Sequence, residues 1–288
     1  MVNGTSSIRL VGRIFLVMNI RAGTGLRIGG SPAALNIGGL DNVVIRDPLT
    51  LRPYIPGSSL RGKLRSLWEK ATGLEQNFFV RRGNPTVRMH AITTDDVKGL
   101  DAAAVHQMVH GDPVCRIFGV TGDIAVPNPT RLIVHDVMMS EESADRLNNA
   151  RTDNPYTEIK WEATIDRITS AAVPRQMERV PADTVFSNAR LVYSIYDVPD
   201  VRSQIEWFGD LITMLQLVED DYLGSSGSRG SGQIAFENLQ LLARVTGETG
   251  KTYQQLYRAH DAEFVSNLMY FSNQKDSMIA TLRQIFGA

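Results

Sequence analysis

The sequence predicts an α+β fold, on three observations. Residues 8–18 (IRLVGRIFLVM) alternate and are rich in β-branched and aromatic types, the pattern of a half-buried strand. Two amphipathic helical stretches, 58–70 and 200–224, stand among further strand-like runs at 131–138, 156–168, 191–196 and 233–242. The order of these segments, β, α, β, β, α, β, is that of a ferredoxin-like, RNA-recognition-type domain carrying insertions.

The first strand leads into a glycine-rich connection, RAGTGLRIGGSPAALNIGGLDN, at 21–42. Such a stretch is either a flexible connection or backbone that approaches a ligand closely. Next comes RDPLTLRPYIPGSSLRGKLRSLWEK at 46–70. Pro48, Pro53 and Pro56 keep its start extended, and Gly57, Ser58 and Ser59 read as a turn and a hydroxyl N-cap. Leu60, Leu64, Leu67 and Trp68 then fall at i, i+4, i+7 and i+8, one apolar helix face. The segment holds six Lys/Arg and two Asp/Glu, a local charge of +4 in a chain of net charge −1. A helix N-terminus with serine hydroxyls and nearby cations suits a phosphate; the same features also describe an ordinary basic, solvated helix face. Gly62 costs the helix roughly 1 kcal/mol relative to Ala, which close approach of another backbone would explain.

Residues 75–130 lose this regularity and read as an insertion containing one helix near 101–110. His90, His106, His110 and Cys115 are four potential soft-metal ligands within it. His106 and His110 share a helix face at i, i+4. Residues 156–168 read as one strand of a long hairpin, with 191–196 able to pair back. Its tip, 169–180, would carry Val173, Pro174 and Met177, with Arg167, Arg175 and Arg179 nearby. Cations around an apolar wedge are either surface ornament or a device for entering stacked bases. Asp200 caps the second helix and Gly224 ends it. GSSGSRGSG at 224–232 is a second glycine-rich stretch, with Arg229 inside it and no Walker-type Gly-Lys-Ser/Thr opening a helix. The tail, 251–286, reads as two helices anchored by Phe264, Leu268, Phe271, Ile279, Leu282 and Phe286.

Composition bounds the function classes. Hydrophobic residues make up 43% and charged residues 21%, values of a globular protein with a real core. No apolar run reaches spanning length, so no membrane partner is expected. The N-terminus reads as a strand rather than a signal peptide, and the single cysteine, Cys115, fits a reducing cytoplasm. A net charge of −1 argues against a histone-like binder but allows one basic groove.

Five segments in a fixed order carry a family resemblance: GLRIGG at 25–30, the stretch 39–69, VCRIFG at 114–119, TEIKWEATIDRITSAAVPRQMERV at 157–180, and DYLGSSGSRGSGQIAFENL at 221–239. Over residues 8–245 the chain resembles the backbone subunit of the type III-A CRISPR effector (the Csm complex), in the RAMP superfamily. The resemblance implies a ferredoxin-like domain over 1–250, with a lid insertion at about 75–130 and a thumb hairpin at about 150–190, followed by a helical tail at 251–288. It implies partners as well: a CRISPR guide RNA, a single-stranded target RNA, further copies of the chain in a helical stack and other type III effector subunits. Guide–target pairing would carry the sequence specificity.

The same resemblance implies an antiviral endoribonuclease that cuts target RNA at regular intervals, using divalent metal (Mg²⁺ or Mn²⁺) and 2′-hydroxyl attack. The catalytic position matches Asp41, in GLDN; the residues alone suggest an Asx-type turn there. Arg27, Ser58, Ser59, Arg61, Lys63, Arg65 and Arg229 match guide-RNA contacts. The family's histidine- and cysteine-rich zinc site falls just before CRIFG, which here implies structural Zn²⁺ on His106, His110 and Cys115 with His90 or Asp112 as fourth ligand. Three other readings compete. A catalytically inactive RNA-coating scaffold would share every feature except the role of Asp41. A precursor-processing ribonuclease would need a histidine in the early glycine-rich loop, where there is none. A phosphate-binding metabolic enzyme would leave the basic hairpin unexplained.

Overall fold

Ile14, Leu16, Met18, Ile20 and Ala22 take every second position of strand β1 (Leu10–Ala22), and all are buried. This alternation gives β1 one apolar face and places it mid-sheet. The computed structural model describes residues 8–29, 43–81, 86–120, 124, 128–150, 152–247, 257–258 and 265–288. After β1 come β2 (Tyr54–Ile55), α1 (Gly57–Ala71), β3 (Phe78–Arg81), β4 (Val87–Met89), α2 (Ala102–Gly111), α3 (Cys115–Phe118), β5 (Leu132–Val134), β6 (Val137–Met138) and α4 (Glu141–Asn149). The chain continues through β7 (Glu158–Ile165), β8 (Ala172–Arg179), β9 (Val185–Tyr196), α5 (Val201–Asp220), β10 (Ile234–Val245), β11 (Tyr257–Arg258), β12 (Val265–Asn267), α6 (Leu268–Asn273) and α7 (Lys275–Phe286).

The main sheet runs β11–β10–β1–β9–β5, with β12 also on β10, and its pairings are antiparallel. Within the series β1, α1, β5, β9, α5, β10, the strands lie in the order fourth, first, third, second. That is the ferredoxin-like arrangement expected from the sequence. Helices α1 and α5 pack together, α5 lies against β9 and β10, and α7 packs on α5 and β10. Ile205, Phe208, Ile212, Leu215 and Val218 of α5 join β1's apolar face in one core. A smaller cluster of Ile92, Val105, Val109, Cys115 and Ile124 fills the insertion. No described helix is long and apolar enough to cross a membrane.

Several local expectations are corrected. The N-cap of α1 is Pro56, with no side-chain cap, and Asp136 Oδ1 instead accepts the Gly57 N–H at 2.7 Å. Gly57 is the glycine that close approach requires: a Cβ there would lie 2.1 Å from the Val134 carbonyl oxygen, whereas at Gly62 it would meet nothing within 4 Å. β7 pairs with β8, so the hairpin tip is 166–171, and 191–196 belongs to β9 in the main sheet. The turn residues 166–171 explain the shift, because Asp166 Oδ1 accepts from Ile168 N, Thr169 N and the Thr169 hydroxyl, closing the hairpin there. Helix α5 stops at Asp220, four residues before Gly224. In the tail, α6 and α7 bury Leu268, Phe271, Ile279, Leu282 and Phe286, whereas Phe264 lies outside the described residues.

Arg131 ties the insertion to the core. It is fully buried, and no carboxylate pairs with it among the described residues. Its guanidinium donates to Gln204 Oε1 (3.1 Å), the Arg116 carbonyl (2.9 Å), the Val198 carbonyl (3.2 Å) and Asn128 Oδ1, between the rings of Tyr196 and Trp207. A buried charge satisfied only by neutral oxygens is costly to disturb. Arg131→Ala leaves those buried oxygens without their donor, at about 1–3 kcal/mol for each left unsatisfied, and is expected to lower the denaturant midpoint; an unchanged midpoint would show that the hub is dispensable.

Candidate nucleic-acid interface

Beyond β1 the chain passes through Gly25 to Gly29 and is held on two sides. Leu26 and Val180, at the foot of β8, exchange backbone hydrogen bonds at 2.9 and 2.8 Å. Ser225 N donates to the Arg27 carbonyl at 3.0 Å, and Gly232 N donates to the Gly25 carbonyl, also at 3.0 Å. Gly224 makes this possible. Its φ is +83°, and a Cβ there would lie 2.2 Å from the Arg27 carbonyl oxygen. The two glycine-rich stretches are therefore laid against each other, as neither alone would predict.

The first turns of α1 complete a cavity of about 380 Å³ lined by Ile28, Gly29, Ser59, Lys63, Leu223, Gly224 and Ser225. Ser59 and Lys63 reach it together because they are four residues apart on one helix face. Lys63 Nζ donates to Asp221 Oδ2 at 2.8 Å and lies 3.8 Å from the centre of the Tyr222 ring. An ammonium has three donors, which leaves capacity for an anion. Ser58 is exposed at the helix start and does not line the cavity. Arg27 donates to Ser225 Oγ at 2.9 Å, and burial lowers its pKa.

The helix period that gathers Ser59 and Lys63 turns Arg61 and Arg65 away from them. Arg61 donates to the Phe118 carbonyl at 2.9 Å and lies over the Phe118 ring. Arg65 donates to Glu69 Oε1 at 2.9 Å and to the His90 carbonyl at 2.6 Å. Both cations bind the insertion to α1, and the structure does not bring them to the cavity.

Hairpin β7–β8 flanks a second concavity of about 850 Å³, lined by residues 162–166, Arg167, Arg175 and Arg229. Glu162 sits among Lys160 (3.2 Å), Arg175 (2.9 Å) and Arg229 (4.0 Å). The hydrogen bond from Arg175 holds its carboxyl below the usual glutamate range, with Lys160 assisting. Two carboxylates, Glu162 and Asp166, stand against Arg167, Arg175, Arg229 and the adjacent Lys160, which leaves the site positive. Arg179 is drawn closer to the body, pairing with Glu158 at 2.6 Å.

Cross-strand register corrects the expected wedge. Lys160↔Met177, Glu162↔Arg175 and Thr164↔Val173 share one face, while Trp161↔Gln176, Ala163↔Pro174 and Ile165↔Ala172 share the other. Val173 and Pro174 thus point to opposite sides, and Met177 is buried beside Ser226, whose hydroxyl contacts its sulfur. Val173 (66%) and Pro174 are exposed, and so are Trp161 (63%), Ile165 (53%) and, at the tip, Ile168 (93%).

Glu178 was missed by sequence reasoning. It is buried, accepting from Val44 N (2.8 Å), Arg46 (2.7 Å) and the Thr157 hydroxyl (2.7 Å). Burial alone would raise its pKa, but these donors outweigh that and hold it below the usual range. Gly29 and Val44 form a bridge, and Ile45 N donates to the Ile28 carbonyl at 2.9 Å. The segment flanking Asp41 is thereby locked to the foot of the hairpin. Asp41 itself, like residues 30–42 as a whole, lies outside the described residues.

The expected zinc ligands divide into two groups. Donor atoms of His90, Asp112 and Cys115 lie within 4.8 Å of one another, with His90 Nε2 2.7 Å from Asp112 Oδ2. His106 and His110 pair with each other instead, Nδ1 to Nδ1 at 3.0 Å, with His110 near Trp207. The helical turn that aligns the two histidines faces them toward α5. Burial lowers the His110 pKa to about 4 and raises the Cys115 thiol to about 12. A structural zinc takes four protein ligands, and the set named from the sequence does not converge.

The RAMP superfamily profile matches residues 19–235. A Streptococcus thermophilus protein named CRISPR system Cms endoribonuclease Csm3 is 38% identical over 241 residues, covering 83% of this chain and 94% of that protein. The Methanopyrus kandleri Csm3 crystal structure superposes with a TM-score of 0.58 at 24% identity, over 94% of this chain and 98% of that one. A Csm3–Csm4 subcomplex from the type III-A CRISPR-Cas interference complex gives 0.52 at 25% identity, over 93% and 97%.

Proposed function

The chain belongs to the RAMP superfamily, and from that membership we propose that it is a guide-RNA-binding backbone subunit of a type III CRISPR effector and an endoribonuclease acting on complementary target RNA. The observation that carries the binding reading is the cavity joining Gly29, Ser59, Lys63, Gly224 and Ser225. Backbone approach, a helix start and an ammonium there suit a phosphate chain and read no base. The hairpin acts as the thumb: its cationic face follows phosphates, and Trp161, Ile165 and Ile168 offer the apolar groups that separate stacked bases. Further copies of the chain, and other effector subunits such as the one paired with its relative, would extend the groove through a head-to-tail interface.

In the reaction so proposed, the 2′-oxygen of a target nucleotide attacks the adjacent phosphorus and the bond to the 5′-oxygen breaks, giving a 2′,3′-cyclic phosphate and a 5′-hydroxyl that takes its proton from water. Asp41 takes the 2′-hydroxyl proton. Lys63 and the α1 start hold the guide phosphates. Glu178 and Arg46 fix the segment after Asp41 against the thumb. Divalent metal would neutralise phosphate charge when bound.

Binding to two unrelated single-stranded RNAs tests the reading. Affinities should agree and fall steeply with salt. Lys63→Ala should weaken both equally and flatten the log-affinity against log-salt slope by about 0.7, the value for one phosphate on a single strand. Strong preference for one sequence, or an unchanged slope, would count against a backbone-gripping cleft.

A further inference from the structure

The sheet face turned away from the helices is left without a role by the cleft. Along β1 it presents Arg13, Phe15, Val17, Asn19 and Arg21. Register places Ser194, Val192 and Arg190 of β9 beside Arg13, Phe15 and Val17, and Gln240 of β10 on the other side of Val17. All three strands are irregular at one level. The pairing of β1 with β10 shifts between Val17 and Asn19, and that with β9 between Met18 and Ile20. Asn188 and Asn238, at the same level, are left-handed, with φ of 56° and 53°. Together Val17, Met18, Asn19, Asn188 and Asn238 line a cavity of about 310 Å³.

Three asparagines line this cavity beside Val17 and Met18, and Arg190 stands across from Val17. Asn188 and Asn238 are exposed, and Asn19 Oδ1 accepts the Asn188 N–H at 3.2 Å. Arg190 is exposed and lies flat enough on Phe15 to bring its guanidinium carbon 4.7 Å from the ring centre, covering that ring. It has no carboxylate partner among the described residues. The Arg13 side chain likewise has no hydrogen-bond or ion-pair partner there, and its Nε is buried and unsatisfied. The neighbouring acids are already engaged: Glu237 and Asp183 pair with Arg21, and Asp197 pairs with Arg9. A face with spare cations, side-chain amides and a covered apolar layer is complementary to a polyanion with hydrogen-bonding edges.

We infer that this face is a second binding surface, for single-stranded RNA. The outer plane of Arg190 stacks a base, as guanidinium planes do. The amides of Asn19, Asn188 and Asn238 bond base edges or a 2′-hydroxyl in the cavity. Arg13, six residues from Asn19 and so about 20 Å along the strand, meets a phosphate further on. The inference rests on the reading that the chain binds RNA. It adds a path that leaves the cleft and crosses the sheet.

Photo-cross-linking of the full chain to a 4-thiouridine oligouridylate, with peptide mapping, tests it. Cross-links are expected on β1, β9 and β10 around Phe15, Arg190 and Gln240, as well as in the cleft. Arg190→Glu should remove the sheet cross-links and weaken oligouridylate binding about 10-fold, while cleft cross-links persist. Asn238→Gly, which keeps the left-handed backbone, should also weaken sheet cross-linking. In Lys63→Ala the sheet cross-links should remain. Cleft cross-links without sheet cross-links in the native chain would overturn this inference alone. Hydrogen-exchange protection of these strands by a second copy in the absence of RNA would also overturn it, by making the face a protein interface. No cross-link anywhere would overturn it together with the RNA-binding reading.

Discussion

Asp41→Ala is expected to bind guide and target RNA as the native chain does and to lose cleavage by about 10²–10⁴-fold, the range for removal of a general base. The reasoning is chemical. The 2′-hydroxyl must lose a proton, the phosphate must be held in line, and the leaving oxygen must be stabilised. The cleft supplies holding groups, and among them Lys63 and Ser59 are poor bases. Asp41 lies three residues before Val44, whose N–H is fixed by Glu178. Asp47 is the internal control. Its Oδ1 accepts from Thr50 N (2.8 Å), the Thr50 hydroxyl (2.9 Å) and Leu49 N (3.1 Å), and these bonds, led by that from Thr50 N, hold the carboxyl below the usual aspartate range. It is a turn cap, so Asp47→Ala should keep cutting. Chelation of divalent metal should abolish cutting by the native protein.

The second large effect concerns the thumb. Replacing residues 163–174 by Asn-Gly would close the hairpin on the Glu162–Arg175 pair with a two-residue turn. None of the removed side chains is buried, so the fold should survive. Ile165, Ile168, Pro174 and Arg167 go with the tip. Unstacking a base step costs a few kcal/mol, and of the apolar groups that offset it only Trp161 would remain. Target cleavage should fall by about 10-fold or more, since each 1.4 kcal/mol is tenfold, and the cuts should lose their even spacing. A shortened hairpin that cuts with the native pattern would make the tip an ornament. Excising 170–179, within the tip 169–180 expected from the sequence, would instead remove buried Met177 and Glu178.

What the sequence made legible follows from periodicity. The alternation of 8–18 located β1, and the Leu60–Trp68 spacing located α1 with the cavity at its start. The cleft's glycines were visible as glycines, but not as partners, because the meeting of Gly224 with Arg27 is a contact between residues about two hundred positions apart. Partners also decided what became of Arg61 and Arg65. Their i, i+4 spacing was read correctly, yet which face met solvent depended on Phe118 and His90, contributed by the insertion. The hairpin register failed because one strand pattern fits two partners, and the Asp166 turn chose between them. Glu178 had no signal at all: a buried, fully bonded glutamate and an exposed one look alike in a sequence.

The most direct measurement is a map of cleavage products from the assembled complex, with end-labelled complementary RNA and either the native chain or Asp41→Ala. The account predicts a ladder of evenly spaced fragments ending in 2′,3′-cyclic phosphate from the native complex, and intact, bound target from Asp41→Ala. Cutting at the native rate by Asp41→Ala would contradict the catalytic assignment, and target bound but uncut by the native complex would make the chain an RNA-coating scaffold.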